Sequence, residues 1–164
     1  MERAARRPPR PHLLARLGAA ALALAFAAPV AATVWSRSIE TVRLPKGGRA
    51  ELSDLLYTAR DWKASITAIE VKPAPEPPGS RGEAASVWTF HYTNTAHEPR
   101  YVLVNVRCLD DLRKERAGFK ATLTLLADRP SGGKADVTFR AREADWRASS
   151  TVKVVVDFLS GPEG

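Results

Sequence analysis

Few side chains of this sequence have the types and spacing that a metal or redox centre requires. The chain has 164 residues, among them three histidines, one cysteine and one methionine. A blue-copper site needs two histidines, a thiolate and usually a methionine, whereas no histidine follows Cys108 and the methionine is Met1. His91 and His97 could share a surface metal with Glu98 across a turn, but exposed polar histidines are the simpler interpretation. We therefore expect no metal and no other cofactor.

The sequence also gives no support for nucleophilic or acid–base catalysis. Residues 150–153 match the S-x-x-K pattern, but they open a valine-rich strand in which Ser150 and Lys153 would point to opposite faces. The G-x-S-x-G pattern of a nucleophile elbow is missing from the sequence. No pair of carboxylates stands out for glycoside hydrolysis. The sequence predicts a protein that is not an enzyme.

The tryptophans are the better candidates for binding. Trp146 follows charged residues and precedes Arg147, and an exposed tryptophan beside charged groups can stack on a sugar or anchor a protein partner. Trp35 lies near the predicted start of the domain. The candidate binding residues are Trp146, Arg147, Trp35, His91 and His97. The structural alternative is that Trp146 only covers one end of the domain.

Residues 1–32 have the organisation of a secretory signal peptide. Five arginines precede an apolar run, Leu17–Ala28, which is short for a membrane span and typical of the central region of a signal. Val30 and Ala32 occupy the two positions that signal peptidase reads, which predicts cleavage after Ala32. A retained membrane anchor is the alternative. Beyond this segment the sequence has no stretch of apolar residues long enough for a membrane span.

The predicted signal accounts for much of the positive charge. The whole chain carries a net charge of +7, but residues 33–164 have 20 basic and 17 acidic residues, a net charge of +3. Basic and acidic residues are interspersed over this part of the chain, with no run of five like charges. Such a pattern does not favour a nucleic-acid partner.

The elements that would position the candidate residues are short β-strands. Five segments alternate apolar and polar residues with the period of two typical of half-buried strands; they are SVWTFHYTN, RYVLVNVRC, FKATLTLLA, ADVTFRA and STVKVVVDFL. Two further strands are predicted around Ser38–Leu44 and Ser65–Val71, the second with Thr67 and Ile69 on one face. About seven strands without crossover helices predict an antiparallel, immunoglobulin-like β-sandwich, a single monomeric domain over residues 33–164.

Two segments depart from this strand pattern. In RAELSDLLYTARDW, residues 49–62, apolar residues recur at helical spacing, which predicts a short amphipathic helix over an open edge or end of the sandwich. The segment Lys72–Ala84 is rich in proline and glycine and is predicted to be a long mobile loop of a hairpin. Together with the segment Ala144–Ala148, this loop is expected to form the recognition surface.

The segment Val87–Asp111 carries a family resemblance. It contains an aromatic strand ending in Thr-Asn, a polar turn, and a valine-rich strand ending in Leu-Asp. This arrangement resembles the central hairpin of FxLYD-type and related immunoglobulin-like domains of bacterial envelopes. The Phe-x-Leu-Tyr-Asp stretch itself is replaced by Arg-Cys-Leu-Asp. The resemblance implies a non-enzymatic module outside the cytoplasm, and it transfers no site residues.

Taken together, the sequence predicts an exported, non-enzymatic β-sandwich of the bacterial cell envelope, periplasmic or extracellular. It would serve as a binding or structural accessory that recognises a protein partner through its loops. The alternative is a carbohydrate-binding module that uses exposed tryptophans. The expected partner is thus an envelope protein or a glycan.

Overall fold

The described residues form two four-stranded antiparallel sheets, which confirms the predicted β-sandwich. The computed structural model describes residues 34–53, 62–74 and 82–159. Its strands are β1 (Val34–Arg43), β2 (Arg49–Glu51), β3 (Ala64–Pro73), β4 (Glu83–Asn94), β5 (Arg100–Leu109), β6 (Glu115–Leu125), β7 (Arg129–Arg142) and β8 (Thr151–Leu159). The strand order is β1-β8-β5-β6 in the first sheet and β2-β3-β4-β7 in the second. In the described part of the chain, one short helix, α1 (Glu143–Ala148), connects β7 to β8.

The core lies between the sheets and is built by the alternation that the sequence predicts. Trp88, Phe90 and Tyr92 of β4 are buried on one inner face. All valines of β5 and Val152, Val154 and Val156 of β8 are buried on the other, so each sheet contributes every second residue of its central strands. Complete burial of one such side chain stabilises the fold by about 1.5–3 kcal/mol. The aliphatic and aromatic stripes therefore fix which face of each strand points inward.

The alternation predicted for β3 is wrong in one place. A bulge between Ile66 and Ala68 inserts Thr67 as an extra residue, so Thr67 and Ile69 do not share a face. Ile66 and Ile69 are both buried, and the Thr67 hydroxyl donates a hydrogen bond to the carbonyl oxygen of His91. A bulge shifts the phase of the pattern by one residue, which a strict period of two cannot show.

The start of the helix predicted over residues 49–62 is also wrong. Arg49–Glu51 form β2, which pairs with β3, because the free edge of β3 offers backbone partners to an extended segment. Residues 54–61 of the predicted helix lie outside the described residues. Leu52 and Trp62, on either side of them, are buried as the apolar pattern predicts. The described helix, α1, instead occupies a segment predicted to be a loop.

The strand pairing gathers the strand connections at two opposite ends of the sandwich. The connections β1–β2, β3–β4, β5–β6 and β7–β8 meet at one end, as the pairs Arg43↔Thr151 and Glu83↔Arg142 show. We call this the loop end; its described residues are 44–48, 74, 82, 110–114 and 143–150. At the other end, the terminal end, Val34 pairs with Leu159. Residues 1–33, 75–81 and 160–164 lie outside the described residues, and with them the predicted signal and most of the predicted Lys72–Ala84 loop.

Candidate functional site

Two neighbouring cavities open at the loop end. The first has a volume of about 690 Å³ and lies between the β1–β2 connection and the segment after α1. The second, of about 580 Å³, lies beside it between the ends of β1, β5 and β8. Both are lined by Asp111 and Ser150. Together they make this end a concave surface, which is the shape a binding site requires.

Backbone hydrogen bonds hold the wall of the first cavity. Gly47 adopts φ 77°, a left-handed conformation that glycine accepts without strain, and the N–H of Gly48 donates to the carbonyl of Pro45 at 3.0 Å. The carbonyl of Gly48 in turn accepts from the N–H of Val71 at 2.8 Å. Leu44 is buried in the core at the start of this connection. The wall is therefore fixed to both sheets.

Cations outnumber acids around the first cavity. Its charged lining residues are Arg43, Lys46, Arg49 and Arg147 against Glu51 and Asp111. The Nε of Arg49 donates to Glu51 at 2.6 Å, and this hydrogen bond lowers the pKa of the Glu51 carboxyl. Arg43 has no ion-pair partner among the described residues. We call this surface, with its four cations, the basic groove.

Trp146 lies at the margin of the basic groove and is half-buried. Its ring meets the ring of Trp88 edge to face, with centroids 6.3 Å apart. The ammonium of Lys46 lies 5.9 Å from the Trp146 ring centroid and donates a hydrogen bond to the carbonyl of Arg147 at 3.0 Å. Trp146 therefore partly covers the core at this end of the sandwich, as in the structural alternative given for it above. Arg147 is exposed and pairs with Glu143 one turn earlier in α1.

The other candidate residues do not join this surface as one site. His91 lies on the outer face of β4 with only 12% of its side chain exposed, which differs from the exposed histidine expected. Its Nδ1 lies 3.3 Å from a guanidinium nitrogen of Arg49, and its Nε2 lies 3.2 Å from Glu70. The ring of His91 therefore lies between a guanidinium and a carboxylate, which fix its orientation on the outer face of the sheet.

His97 is far more exposed and has a different partner. It lies in the β4–β5 turn at the terminal end, with 96% of its side chain exposed and its Nδ1 2.9 Å from Asp128. Because β4 and β5 belong to different sheets, no hairpin brings His97 to His91. In the described ranges no group of three or more metal-ligating side chains is found. Trp35 belongs to β1, near the terminal end, but its side chain lies outside the described positions.

Cys108 cannot supply a nucleophile in this fold. It is fully buried among the inward valines of β5. Burial raises the pKa of its thiol to about 12, so the thiolate that reacts with electrophiles is not populated near neutral pH. Its role is that of a small apolar side chain in the core.

Sequence reasoning missed the basic groove. Lys46 and Arg147 are 101 residues apart, and only the pairing of β1 with β8 brings their segments together. No spacing pattern in the sequence links them. The proline-rich connection and the Trp146 segment, which the sequence did single out, both start from the loop end, where the N–H of Glu143 donates to the carbonyl of Gly82.

Comparisons with known proteins give no family assignment. The sequence matches no family model and no curated protein, so the resemblance of Val87–Asp111 to FxLYD-type domains stays a prediction. Among solved structures, the chain is similar to the enzymatically active domain of tailspike protein 4 of bacteriophage CBA120, with 10% identity and a TM-score of 0.24. The match covers 77% of this chain and 18% of the tailspike chain. A likeness this distant carries no functional argument.

The described residues contain no helix long and apolar enough to cross a membrane.

Proposed function

We propose that this protein is an exported, non-enzymatic β-sandwich module of the bacterial cell envelope that binds a protein partner through its loop end. The observation that carries the proposal is the basic groove, a cavity of about 690 Å³ lined by four cations, three from residues 43–49 and the fourth from α1. Binding residues are commonly found on connections that a rigid scaffold positions. The sandwich supplies that scaffold, and the loop end gathers its connections.

The charge of the groove favours an acidic surface on the partner. Arg43 has no ion-pair partner among the described residues, and Lys46 donates to a backbone carbonyl rather than to a carboxylate. Opposite charges across an interface steer association and select between partners. Arginine also binds carboxylates through two parallel hydrogen bonds, which adds geometric selectivity.

The two described ends of the chain leave this surface uncovered. Val34 and Leu159, the first and last described residues, pair at the terminal end, which is opposite the loop end. Neither of them covers the basic groove, which supports binding at that surface.

Carbohydrate binding is the alternative, and the position of Trp146 is the observation that favours it. The ring is half-buried, beside Lys46 and close to Arg147. A tryptophan with a free face beside such donors can stack on a sugar ring. The core contact with Trp88 occupies part of this ring, which is why we place protein binding first.

The test is a quantitative capture experiment from envelope extract with the tagged full chain. We expect wild type to retain a specific envelope protein, and Arg43→Glu with Lys46→Glu to reduce its recovery by about tenfold. Lys120→Glu, on the exposed outer face of β6, is the matched control and should retain the partner. Loss of recovery in the control to the same degree would contradict binding at the groove. Elution of wild-type partner by a soluble glycan would favour the carbohydrate alternative.

A further inference from the structure

The strand β7 has a long free edge. It spans the 14 residues Arg129–Arg142 and is the last strand of the second sheet, where it pairs with β4. Within the described ranges no strand pairs with its other side. An unpaired strand edge presents a row of N–H and C=O groups that can accept another strand.

The register identifies which residues present these groups. Glu143 and Gly82 are directly opposite and joined by an N–H to carbonyl hydrogen bond of 2.9 Å. In an antiparallel pair, hydrogen-bonded and non-hydrogen-bonded residue pairs alternate. Following the β4–β7 register from that bond, the backbone groups that point away from β4 belong to Lys134, Asp136, Thr138, Arg140 and Arg142.

The sandwich is also open along this side. The inward residues of β5 and β8 are buried, whereas the inward residues of β7 and those of β6 from Ala117 to Ala121 are only half-buried. The last inward residues of β6, Leu123 and Leu125, are buried, so the opening lies along the first part of β6. Phe119 of β6 and Phe139 of β7 meet across the opening, with ring centroids 4.9 Å apart. Val137 lies beside them and is likewise half-buried. An added strand would cover this remaining apolar surface, which favours its binding by the hydrophobic effect.

The charge along the edge is strongly positive. The basic residues of β7 are exposed and have no ion-pair partner among the described residues; they are Arg129, Lys134, Arg140 and Arg142. The acid of β7, Asp136, accepts a hydrogen bond from the Thr89 hydroxyl at 2.6 Å. Cations on an edge strand repel other basic strands, and they attract an acidic one.

We propose that the free edge of β7 is a strand-addition site for an extended acidic segment of a partner protein. The segment pairs with the outward backbone groups of Lys134–Arg142 and turns alternate apolar side chains towards Phe119 and Phe139. Its acidic side chains lie beside Lys134 and Arg140. Such β-augmentation takes its affinity from main-chain hydrogen bonds and its selectivity from the alternating side chains. The site is independent of the basic groove.

The test uses the full chain and a synthetic peptide of roughly ten residues in which glutamate alternates with valine. A lysine–valine peptide of the same length is the charge control. We expect the acidic peptide to bind, to bind more weakly as salt rises, and to protect the amides of Lys134, Asp136, Thr138 and Arg140 from hydrogen exchange.

Thr138 provides a matched pair of variants. Thr138→Pro removes an N–H that points away from β4 and leaves the β4–β7 ladder intact, so it should weaken peptide binding by about tenfold. Thr138→Ala keeps the N–H and should bind as wild type does. Arg140→Glu should weaken the acidic peptide and not the lysine–valine peptide.

Three results would overturn the proposal. They are equal binding of both peptides, unchanged binding by a folded Thr138→Pro variant, and exchange protection confined to the loop end. Protection of the β7 amides by self-association, without peptide, would overturn the partner and assign the edge to a second copy of this chain.

Thr138→Pro is replaced in the test if circular dichroism shows that it does not fold. The exchange pattern of the wild-type chain and the binding of Arg140→Glu then test the proposal. Reversal of charge in the basic groove leaves peptide binding unchanged, which separates this site from the proposed loop-end function.

Discussion

At the scale of single residues, the ring of Tyr92 packs directly against the backbone of Gly133. A Cβ atom at Gly133 would lie 2.3 Å from the ring carbon Cζ of Tyr92, so only glycine lets the ring lie against this strand. The Tyr92 hydroxyl accepts a hydrogen bond from the N–H of Leu126 at 3.1 Å, which fixes the ring between β7 and the end of β6. The contact therefore joins the two sheets through one side chain.

Gly133→Ala tests this contact. The added methyl group forces the buried ring to move, and we expect the free energy of unfolding to fall by about 1–3 kcal/mol. Urea denaturation measures the change. Gly48→Ala is the matched control, because a Cβ at Gly48 meets nothing within 4 Å, and its stability should stay close to that of wild type. Equal stability of the two variants would show that Tyr92 does not occupy this position.

Residue patterns predicted the core well and the outer surface poorly. The inward positions of β4, β5 and β8 follow from a period of two, because burial of alternate apolar residues is the main constraint on these strands. His91 and Trp146 were interpreted from their type alone. Their surroundings come from distant segments, Arg49 and Glu70 for His91 and Lys46 and Trp88 for Trp146, and no local pattern encodes such neighbours.

At the scale of elements, the length of a strand or helix determines whether its residue pattern can be recognised in the sequence. The strands with nine or more residues gave a periodic signal, whereas β2 has three residues and α1 has six. Neither is long enough to complete two periods of an amphipathic pattern. Two apolar positions of the helical pattern over residues 49–62 are described, Leu52 and Trp62, and both are buried. The first three residues of that segment nevertheless adopt an extended conformation, because they pair with β3.

The β5–β6 turn is an element whose stability should depend on pH. The Asp110 carboxylate accepts hydrogen bonds from the N–H groups of Leu112 and Lys114 and from the Arg116 guanidinium. The bond from Lys114 and then those from Arg116 lower the pKa of Asp110. A carboxyl whose pKa is lower in the folded state stabilises the fold above its unfolded pKa, and this contribution disappears as pH falls through the folded value.

Asp110→Asn tests this turn. The amide keeps one acceptor but loses the ion pair with Arg116, so the variant should be less stable than wild type near neutral pH. The difference should shrink below about pH 4 and vanish in stronger acid. Thermal unfolding across this pH range is the measurement. Asp111→Asn, an exposed neighbour, is the control; a pH-independent loss in Asp110→Asn would mean that the charge of Asp110 is not what stabilises the turn.

At the scale of the whole molecule, the order of the strands determines which residues lie together on one surface. Alternation indicates which residues point inward, but it does not say that β8 lies between β1 and β5. That order brings residues 43–50 next to residues 147–150 and so creates the basic groove. It also leaves β6 and β7 as neighbouring edges that no other described strand pairs with. The fold class was therefore predictable from the sequence, whereas both candidate binding surfaces required the topology.

The fold has a consequence for the proposed export. The first described strand begins at Val34, just beyond the predicted cleavage point after Ala32, and its first residue pairs with Leu159. Removal of residues 1–32 therefore leaves every described strand complete. We expect the chain, expressed in a bacterium, to be recovered from the periplasm or medium with Thr33 as its first residue, as measured by intact-protein mass spectrometry.

Two substitutions make this test specific. Ala32→Phe places a large ring at a position where signal peptidase accepts only small residues, so the precursor should accumulate in the membrane fraction. Ala31→Phe adds the same ring one residue earlier, where the small-x-small pattern imposes no limit, and should be processed like wild type. A wild-type chain that keeps Met1 in the membrane fraction would mean that the segment is a retained anchor. Recovery of an unprocessed chain from the cytoplasm would contradict export, because a basic start, an apolar run and small residues at the cleavage site would then not be acting as a signal.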